Sequence, residues 1–509
     1  MERFLTRHHG RIAGIVTGFD RLLFRGTLRS ISFADGMDRF LSSQRILYKD
    51  FGTFVQRVTA RVRAHAEALA EHTGRPLEYL RSSTLSKDAR AREILARDGV
   101  SEGLVCIFSC VESCRAFTVR GDRRLKQLRL VGGERRCVHL YFYILDRDFG
   151  LMHIRLQTWL PLTIQIYVNG REWLGRQLAA AGLPAAVDGN AVVPEDASKA
   201  QAIADRLLTF AWEPWLSRHA ALVNPWLDRD TGLFRGYYWS LRESEWATDV
   251  IFTTRAELPT IYPRLLHHAI EHFTTGDLLR FLGRVKPGLF KGEAHSTLVH
   301  RPEGIRIRHW IDENSIKMYD KGDRLLRVEM TLNNPDRFKV RRRRPSDGRF
   351  AWLPLRRGIA DIRRRADLGR AATARYLDAL SVVGDPTPSH RLLDPVSQRV
   401  IRAGRPYRPL RPISPAEAPL FTTVLRGEFT LQGFQNQDLR RHLYPDVEHE
   451  PTARRQAAAR VTRQLRLLRA HGLIKKVART RYYRLTDKGH HVMTTALRFR
   501  ETDIALLAA

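Results

Sequence analysis

The chain has 509 residues, 86 of them Lys or Arg and 54 Asp or Glu, giving a formal charge of +32. That length holds about three domains with cores of their own, and a hydrophobic content of 43% excludes general disorder. No apolar run approaches a membrane span and Met1–Gly10 lacks the apolar stretch of a signal peptide, so a cytoplasmic protein with no membrane partner is expected.

Such an excess of positive charge attracts polyanions at long range and releases counterions when it neutralises phosphates. All but about a dozen of the cations are Arg, whose forked guanidinium suits phosphates and base edges. Nucleic acid is therefore the expected partner, DNA first and RNA as the alternative.

Residues 1–130 read as a mixed α/β region. The alternating run GIVTGFDRLLFRGTL predicts a strand, with helices near Phe33–Leu41 and over Phe51–Thr73, where Val55, Val58, Val62 and Leu69 recur at helical spacing. A helix at Lys87–Asp98 precedes a strand at Leu104–Ser109. Asp20 and Arg25 are placed to orient a site, but a lone acid after a strand is ordinarily a turn residue. Cys106, Cys110 and Cys114 fall four apart, with Cys137 and His139 close behind. None forms the tight C-x-x-C hook typical of soft-metal sites, so buried structural thiols are expected. Gly132-Gly133 and the basic run before Cys137 mark the expected boundary to a central core, 134–345.

That core holds two segments of strict alternation. In the first, Val138, Leu140, Phe142, Ile144, Met152, Ile154 and Leu156 form an apolar side, while His139, Tyr141, Tyr143, His153, Arg155 and Gln157 form the other. Asp146–Gly150 supplies the turn, and a third strand adds Gln165, Tyr167 and Asn169 to the polar side. His, Tyr, Arg and Gln on one face are residues that stack bases, bind phosphates or move protons, so His139, Tyr141, Arg155 and Tyr167 are expected to bind nucleic acid.

The second segment, GIRIRHWIDENSIKMYDKGDRLLRVEMTLNN, is a three-stranded meander. Its polar face collects Arg306, Arg308, Lys317, Tyr319, Arg327, Glu329 and Thr331, of which Arg306, Arg308 and Arg327 are expected to bind nucleic acid, and Asp320-Lys321-Gly322-Asp323 makes the last turn. K-x-Y-D-K followed by L-R-V-E resembles the motif region of rolling-circle replication initiators and related DNA relaxases. The resemblance implies that the tyrosine hydroxyl attacks a DNA phosphodiester and that acidic residues hold a divalent metal, Mg²⁺ or Mn²⁺. Carried onto this chain, Tyr319 is the nucleophile, Lys317 and Lys321 contact the phosphate or transition state, and Glu329 is a metal ligand. Asp320 and Asp249, the latter in the strand-like WATDVIF, are the other local carboxylates, and Asp249 is the preferred second ligand. The surrounding cations are expected to lower the phenol pKa, since a phenol near 10 is a poor nucleophile at neutral pH. His267, His268 and His272 have helical register, so the His-hydrophobe-His motif of the larger nicking-nuclease superfamily is absent.

A basic segment, 346–385, follows the cluster Arg341, Arg342, Arg343 and Arg344 and includes a helix near Ile359–Leu380. A phosphate-tracking role is expected for the cluster and for this segment. Pro406, Pro409, Pro412 and Pro415 make 386–415 an expected stiff linker. In 416–509 a short helix at Asp438–His442 is stopped by Pro445, and an Arg-studded helix runs from Thr452 to His471 before Gly472. Ile474–Val477 and Tyr482–Leu485 then alternate as two strands around Ala478-Arg479-Thr480-Arg481. LRLLRAHGLIKKVARTRYYRLTDKG resembles the MarR-type winged helix-turn-helix, which implies duplex DNA binding by Arg460, Arg463, Arg479 and Arg481 and makes a homodimer plausible.

The expected architecture is thus α+β and multidomain: a sheet-rich central core, a basic helix and linker, and a C-terminal winged helix. The expected function is a DNA-binding protein of a mobile element or plasmid that nicks and joins a strand through a tyrosine. A non-enzymatic winged-helix regulator and an RNA-binding protein are the alternatives.

Overall fold

A computed structural model describes residues 1–501 apart from 82–84, 123, 125, 228–232, 284–291, 302–303, 337, 384–388, 427–428, 430–432, 448–449 and 479. The chain is α+β and forms two compact units. The larger comprises His8–Thr260 and Thr297–Ala374, and the smaller Met1–Arg7, Ile261–Ser296 and Arg375–Ala509. No helix among the described residues is long and apolar enough to cross a membrane.

The larger unit is organised by one sheet. Its strands are β1 (Ile12–Thr27), β2 (Leu77–Tyr79), β3 (Gly103–Asp122), β4 (Gln127–Asp146), β5 (Gly150–Gln157), β6 (Ile164–Asn169), β9 (Tyr238–Phe252), β10 (Ala294–Arg301), β11 (Gly304–Ile311), β12 (Asn314–Lys321) and β13 (Leu325–Leu332), while β7 (Ala185–Asp188) and β8 (Ala191–Pro194) form a separate hairpin. The order is β10-β11-β12-β13-β9-β1-β6-β5-β4-β3-β2. Apart from the short edge strand β2, it is symmetrical about the antiparallel pair β1/β9. On each side a long strand is followed by helices and then four successive strands, the fourth of which returns beside the first. This is a repeat of topology, without a repeat of residues that a sequence period would reveal.

Alternation gives the sheet two faces. Leu22, Phe24, Phe142, Ile154 and Ile166 join a buried core completed by Val55, Val58 and Val62 of the helix Phe51–Thr73. The helix Ile362–Leu380 approaches β9 so closely that a Cβ on Gly369 would stand 2.4 Å from the Cβ of Trp246. One turn further on, Thr373 and Thr248 share a buried hydroxyl–hydroxyl hydrogen bond of 2.8 Å.

β1 pairs with β6 only from Arg21 to Gly26, which leaves its first half without a strand neighbour on that side. Gln201, on the helix Ala197–Arg206, fills this gap: its Oε1 accepts from the Thr17 amide at 2.7 Å and its Nε2 donates to the Thr17 carbonyl at 3.0 Å. A side-chain amide thus completes backbone pairing that the sheet leaves open.

Three expectations change. β4 runs unbroken through Gly132-Gly133, because the long β3–β4 ladder overrides the flexibility of the glycine pair, so 1–130 and the central core share one sheet. In the basic segment, Arg365 is buried and donates to Ser244 Oγ and the Leu241 carbonyl, a structural role and not phosphate tracking. The expected proline-rich linker is folded from Ser389 onward. It carries the hairpin Val400–Arg402/Arg405–Tyr407, and Leu393, Val396 and Leu410 are buried in the same core as the C-terminal helices.

That core gathers Phe421, Leu439, Val461, Leu465, Leu468, Ile474 and Val492. The elements run in the order helix Ala418–Val424, helix Asn436–Leu443, helix Pro451–Ala470, hairpin Ile474–Lys476/Tyr483–Leu485, helix Asp487–Glu501. Phe434 pairs with Tyr483 as a third extended segment. Val461, Leu465 and Leu468 recur at helical spacing and turn one face of Pro451–Ala470 inward. Arg460, Arg463 and Arg466 are thereby left exposed.

Candidate active site

Three carboxylates from three strands meet at the centre of the sheet. Asp20 lies on β1 where the β1–β9 register shifts between Phe19 and Arg21. Glu245 on β9 stands opposite both Arg21 and Thr331, and Glu329 is on β13. All three are buried, and an oxygen from each lies within 4.8 Å of the others. Carboxylate oxygens at this spacing are a donor set for a hard divalent cation.

The neighbouring strand brings the nucleophile candidate to the same place. The Tyr319 hydroxyl donates to Glu329 Oε1 at 2.6 Å. Lys317, directly across from Glu329, places its ammonium 2.5 Å from Glu329 and 3.2 Å from Glu245. Arg327 is fully buried and grips Asp249 through two bonds of 2.5 and 2.8 Å. Arg171 reaches the same Asp249 at 3.2 Å. Asn190, in the β7–β8 turn, closes the site from the side. Its amide donates to Asp20 at 3.2 Å, its backbone carbonyl accepts from Arg327 at 2.7 Å, and its Oδ1 accepts from Lys321.

The electrostatics follow from crowding charges in a dry place. Burial first, then Glu329 and Glu245, push Asp20 up to about 7. Burial also opposes ionisation of Glu329, yet Lys317 and Arg327 outweigh it and hold this carboxyl at about 2. Tyr319 is carried well above the ordinary phenol value by burial and by Glu329. That corrects the expectation of a lowered phenol: the nearest charge is a carboxylate, and Arg327 only partly offsets it. Lys321 is lowered by burial and by Arg327.

The structure therefore brings Tyr319, Lys317, Lys321 and Glu329 together. Asp249 is not among the converging carboxylates; it neutralises two buried arginines, as removing either partner would leave an uncompensated buried charge. For the same reason Arg327 is no nucleic-acid contact. Asp20 and Glu245 are the members of the acidic group that local reading discounts or misses. Asp20 looks like a turn residue until its strand is seen to continue, and the one available signal for Glu245 is the pair Glu243/Glu245 at strand spacing before an apolar run.

The expected nucleic-acid face divides. His139 is fully buried, its Nδ1 bonded to the Cys137 carbonyl at 3.1 Å, so it offers no surface to nucleic acid. Tyr141 and Arg155 both bond Glu112, at 2.9 and 2.8 Å, and Lys87 joins them at 3.2 Å. These groups close a network within the protein. Tyr167 stacks on His153 with ring centroids 5.0 Å apart. Arg306 lies opposite Tyr319 in register and is half-buried. Arg308 bonds Ser315 at 2.9 Å and covers the Trp310 ring at 3.9 Å.

Among the basic cluster, Arg342 is held by Asp361 and the Pro354 carbonyl. Arg343 covers Phe350 and is exposed, and Arg344 pairs with Asp347. The side chain of Arg341 and the whole of Arg479 lie outside the described residues. Arg460, Arg463 and Arg481 are exposed. A further basic surface, seen in sequence only as a boundary, is the outer β3–β4 hairpin, where Arg115, Arg120, Arg129, Arg135 and Arg136 are exposed.

No protein-family model, curated protein or solved structure matches this chain.

Proposed function

We propose that the larger unit nicks and rejoins a DNA strand through Tyr319, and that residues 416–501 form a winged helix-turn-helix that holds duplex DNA. The observation that carries this reading is the convergence of Asp20, Glu245 and Glu329, the last of which holds the Tyr319 hydroxyl. The helix, extended segment, two helices and hairpin of the smaller unit, with Arg460 and Arg463 outward, support the second part.

The chemistry is a transesterification. Glu329 orients the Tyr319 hydroxyl through the 2.6 Å bond already present, and the phenol proton passes to solvent as the oxygen attacks. The phenolate oxygen forms a bond to the scissile phosphorus, the bond from phosphorus to the 3′-oxygen breaks, and that oxygen leaves with a proton from solvent. One phosphodiester is exchanged for another, so the reverse attack rejoins the strand. Asp20, Glu245 and Glu329 would hold Mg²⁺ or Mn²⁺, which supplies charge to polarise the phosphate when bound. The oxygen-only donor set and the elevated Asp20, which lacks enough positive charge nearby, fit such an ion. Lys321 and Arg306, flanking Tyr319 on the sheet, are placed to meet the non-bridging oxygens.

The test incubates the full chain with end-labelled single-stranded DNA and Mn²⁺, followed by a denaturing protein gel. Label should move to protein mass, Tyr319→Phe should abolish the adduct, and Glu245→Gln should reduce it by about 100-fold or more. An adduct that persists in Tyr319→Phe would remove Tyr319 as the nucleophile, and no adduct on any strand tried would leave a binding protein without strand chemistry.

A further inference from the structure

The β3–β4 hairpin holds a second convergence that the strand chemistry does not use. Cys114 and Cys137 sit diagonally across the ladder with their sulfurs 2.9 Å apart. A ring nitrogen of His139 completes a group of ligand atoms all within 4.8 Å of one another, every residue buried. Sequence spacing hides this group, because the antiparallel ladder and not a C-x-x-C hook brings the residues together.

The histidine is held in a particular tautomer. Its Nδ1 faces the Cys137 carbonyl at 3.1 Å, and a carbonyl only accepts, so Nδ1 carries the proton. The Nε2 lone pair is then bare, and it is buried with no hydrogen-bond partner. A backbone carbonyl fixing one nitrogen while the other waits for an ion is the usual support of a metal-bound histidine.

The position also matters. Cys137 is the first buried residue of β4, and everything from Gln127 to Arg136 is exposed or half-buried. Around the cysteines the apolar cover is limited to Ala116 and Trp159. The hairpin still meets the main core through Phe117, Val119 and Leu130, while around the two cysteines this small cluster is the packing that joins its arms.

We infer that Cys114, Cys137 and His139 Nε2 form a binding site for a soft or borderline transition-metal ion, Zn²⁺ foremost, which staples the base of the basic β3–β4 hairpin. Two sulfurs and one imidazole are the donors such ions select. Binding releases the thiol protons to solvent and forms two metal–sulfur bonds and one metal–nitrogen bond, with no change of oxidation state. Metal–sulfur bonds of about 2.3 Å in tetrahedral geometry set the sulfurs about 3.7 Å apart, so the two thiols part slightly as the ion enters. Three protein donors leave a fourth position for water.

The test uses the full chain, purified under reducing conditions without a metal-binding tag and equilibrated with Zn²⁺, then with Co²⁺. Elemental analysis should give about one tightly held Zn²⁺ per chain. Co²⁺ should produce a thiolate-to-metal charge-transfer band and tetrahedral visible bands. Cys114→Ala and His139→Gln should each weaken Zn²⁺ binding by about 100-fold or more, while Cys106→Ala, outside the group, should leave it unchanged. If the ligand variants fail to fold, X-ray absorption on the zinc-loaded parent must show sulfur and imidazole scattering. Absence of stoichiometric metal, a cobalt spectrum without charge transfer, or an intact mass showing Cys114 and Cys137 joined as a disulfide would overturn the site.

Discussion

Asp20 and Glu329 are both buried carboxylates of one cluster, yet their neighbours drive them in opposite directions, to about 7 and about 2. The sign for Asp20 is that of a raised acid. Its folded-state value lies above the ordinary 3.8, so the folded chain retains a proton the unfolded chain has released, and the stability this gives below pH 4 is lost as pH rises through 7. A divalent cation binds the ionised form. Mn²⁺ should therefore raise the melting temperature little at pH 6 and clearly at pH 8, and Asp20→Asn should remove that pH dependence. Calorimetry on both proteins decides it, and an equal Mn²⁺ shift at both pH values in the parent chain would sink the idea. Tyr319, Lys317 and Glu329 were legible because they lie within a few residues on two strands joined by one turn. Glu245 was not, since nothing local to β9 says which strand will lie beside it.

At the level of elements, two close approaches can be probed. Gly369 lets the helix Ile362–Leu380 touch the Trp246 side chain. Gly369→Ala should destabilise the larger unit by about 1–3 kcal/mol through overpacking, read from denaturant unfolding; an unchanged midpoint would mean the contact relaxes freely. On Pro451–Ala470, Arg460 and Arg463 point away from the core formed by Val461, Leu465 and Leu468. If this helix enters a DNA groove, replacing both by Ala should weaken duplex binding and reduce the slope of log K against log salt by about two. A fluorescence titration at several salt concentrations measures both, and an unaltered slope would remove the helix from the interface. The helix Phe51–Thr73 was readable from its apolar period, and in the structure Gly74 and Gly99 end it and the helix Lys87–Asp98 in the left-handed conformation. The proline-rich stretch misled because Leu393, Val396 and Leu410 seal a core whose other half lies further along the chain.

For the whole molecule, the charge of +32 predicts single-strand binding that weakens steeply with salt and survives Arg460→Ala with Arg463→Ala, since exposed arginines also line the β3–β4 hairpin. Gel-shift titrations of the double variant on single strands test this; a loss as large as that on duplex would place all binding in the smaller unit. By itself the sequence determined the α+β class, the strand and helix periods, the basic surface and the Lys317–Tyr319–Glu329 group. These depend on spacing along the chain, where side chains two apart on a strand or three to four apart on a helix must share a face. The tertiary structure alone decided that Asp20 and Glu245 complete the acidic group, that Asp249 and Arg327 neutralise each other, and that Cys114, Cys137 and His139 meet. Each depends on strand order, diagonal register and burial, which arise from packing between distant segments and leave no period in the sequence.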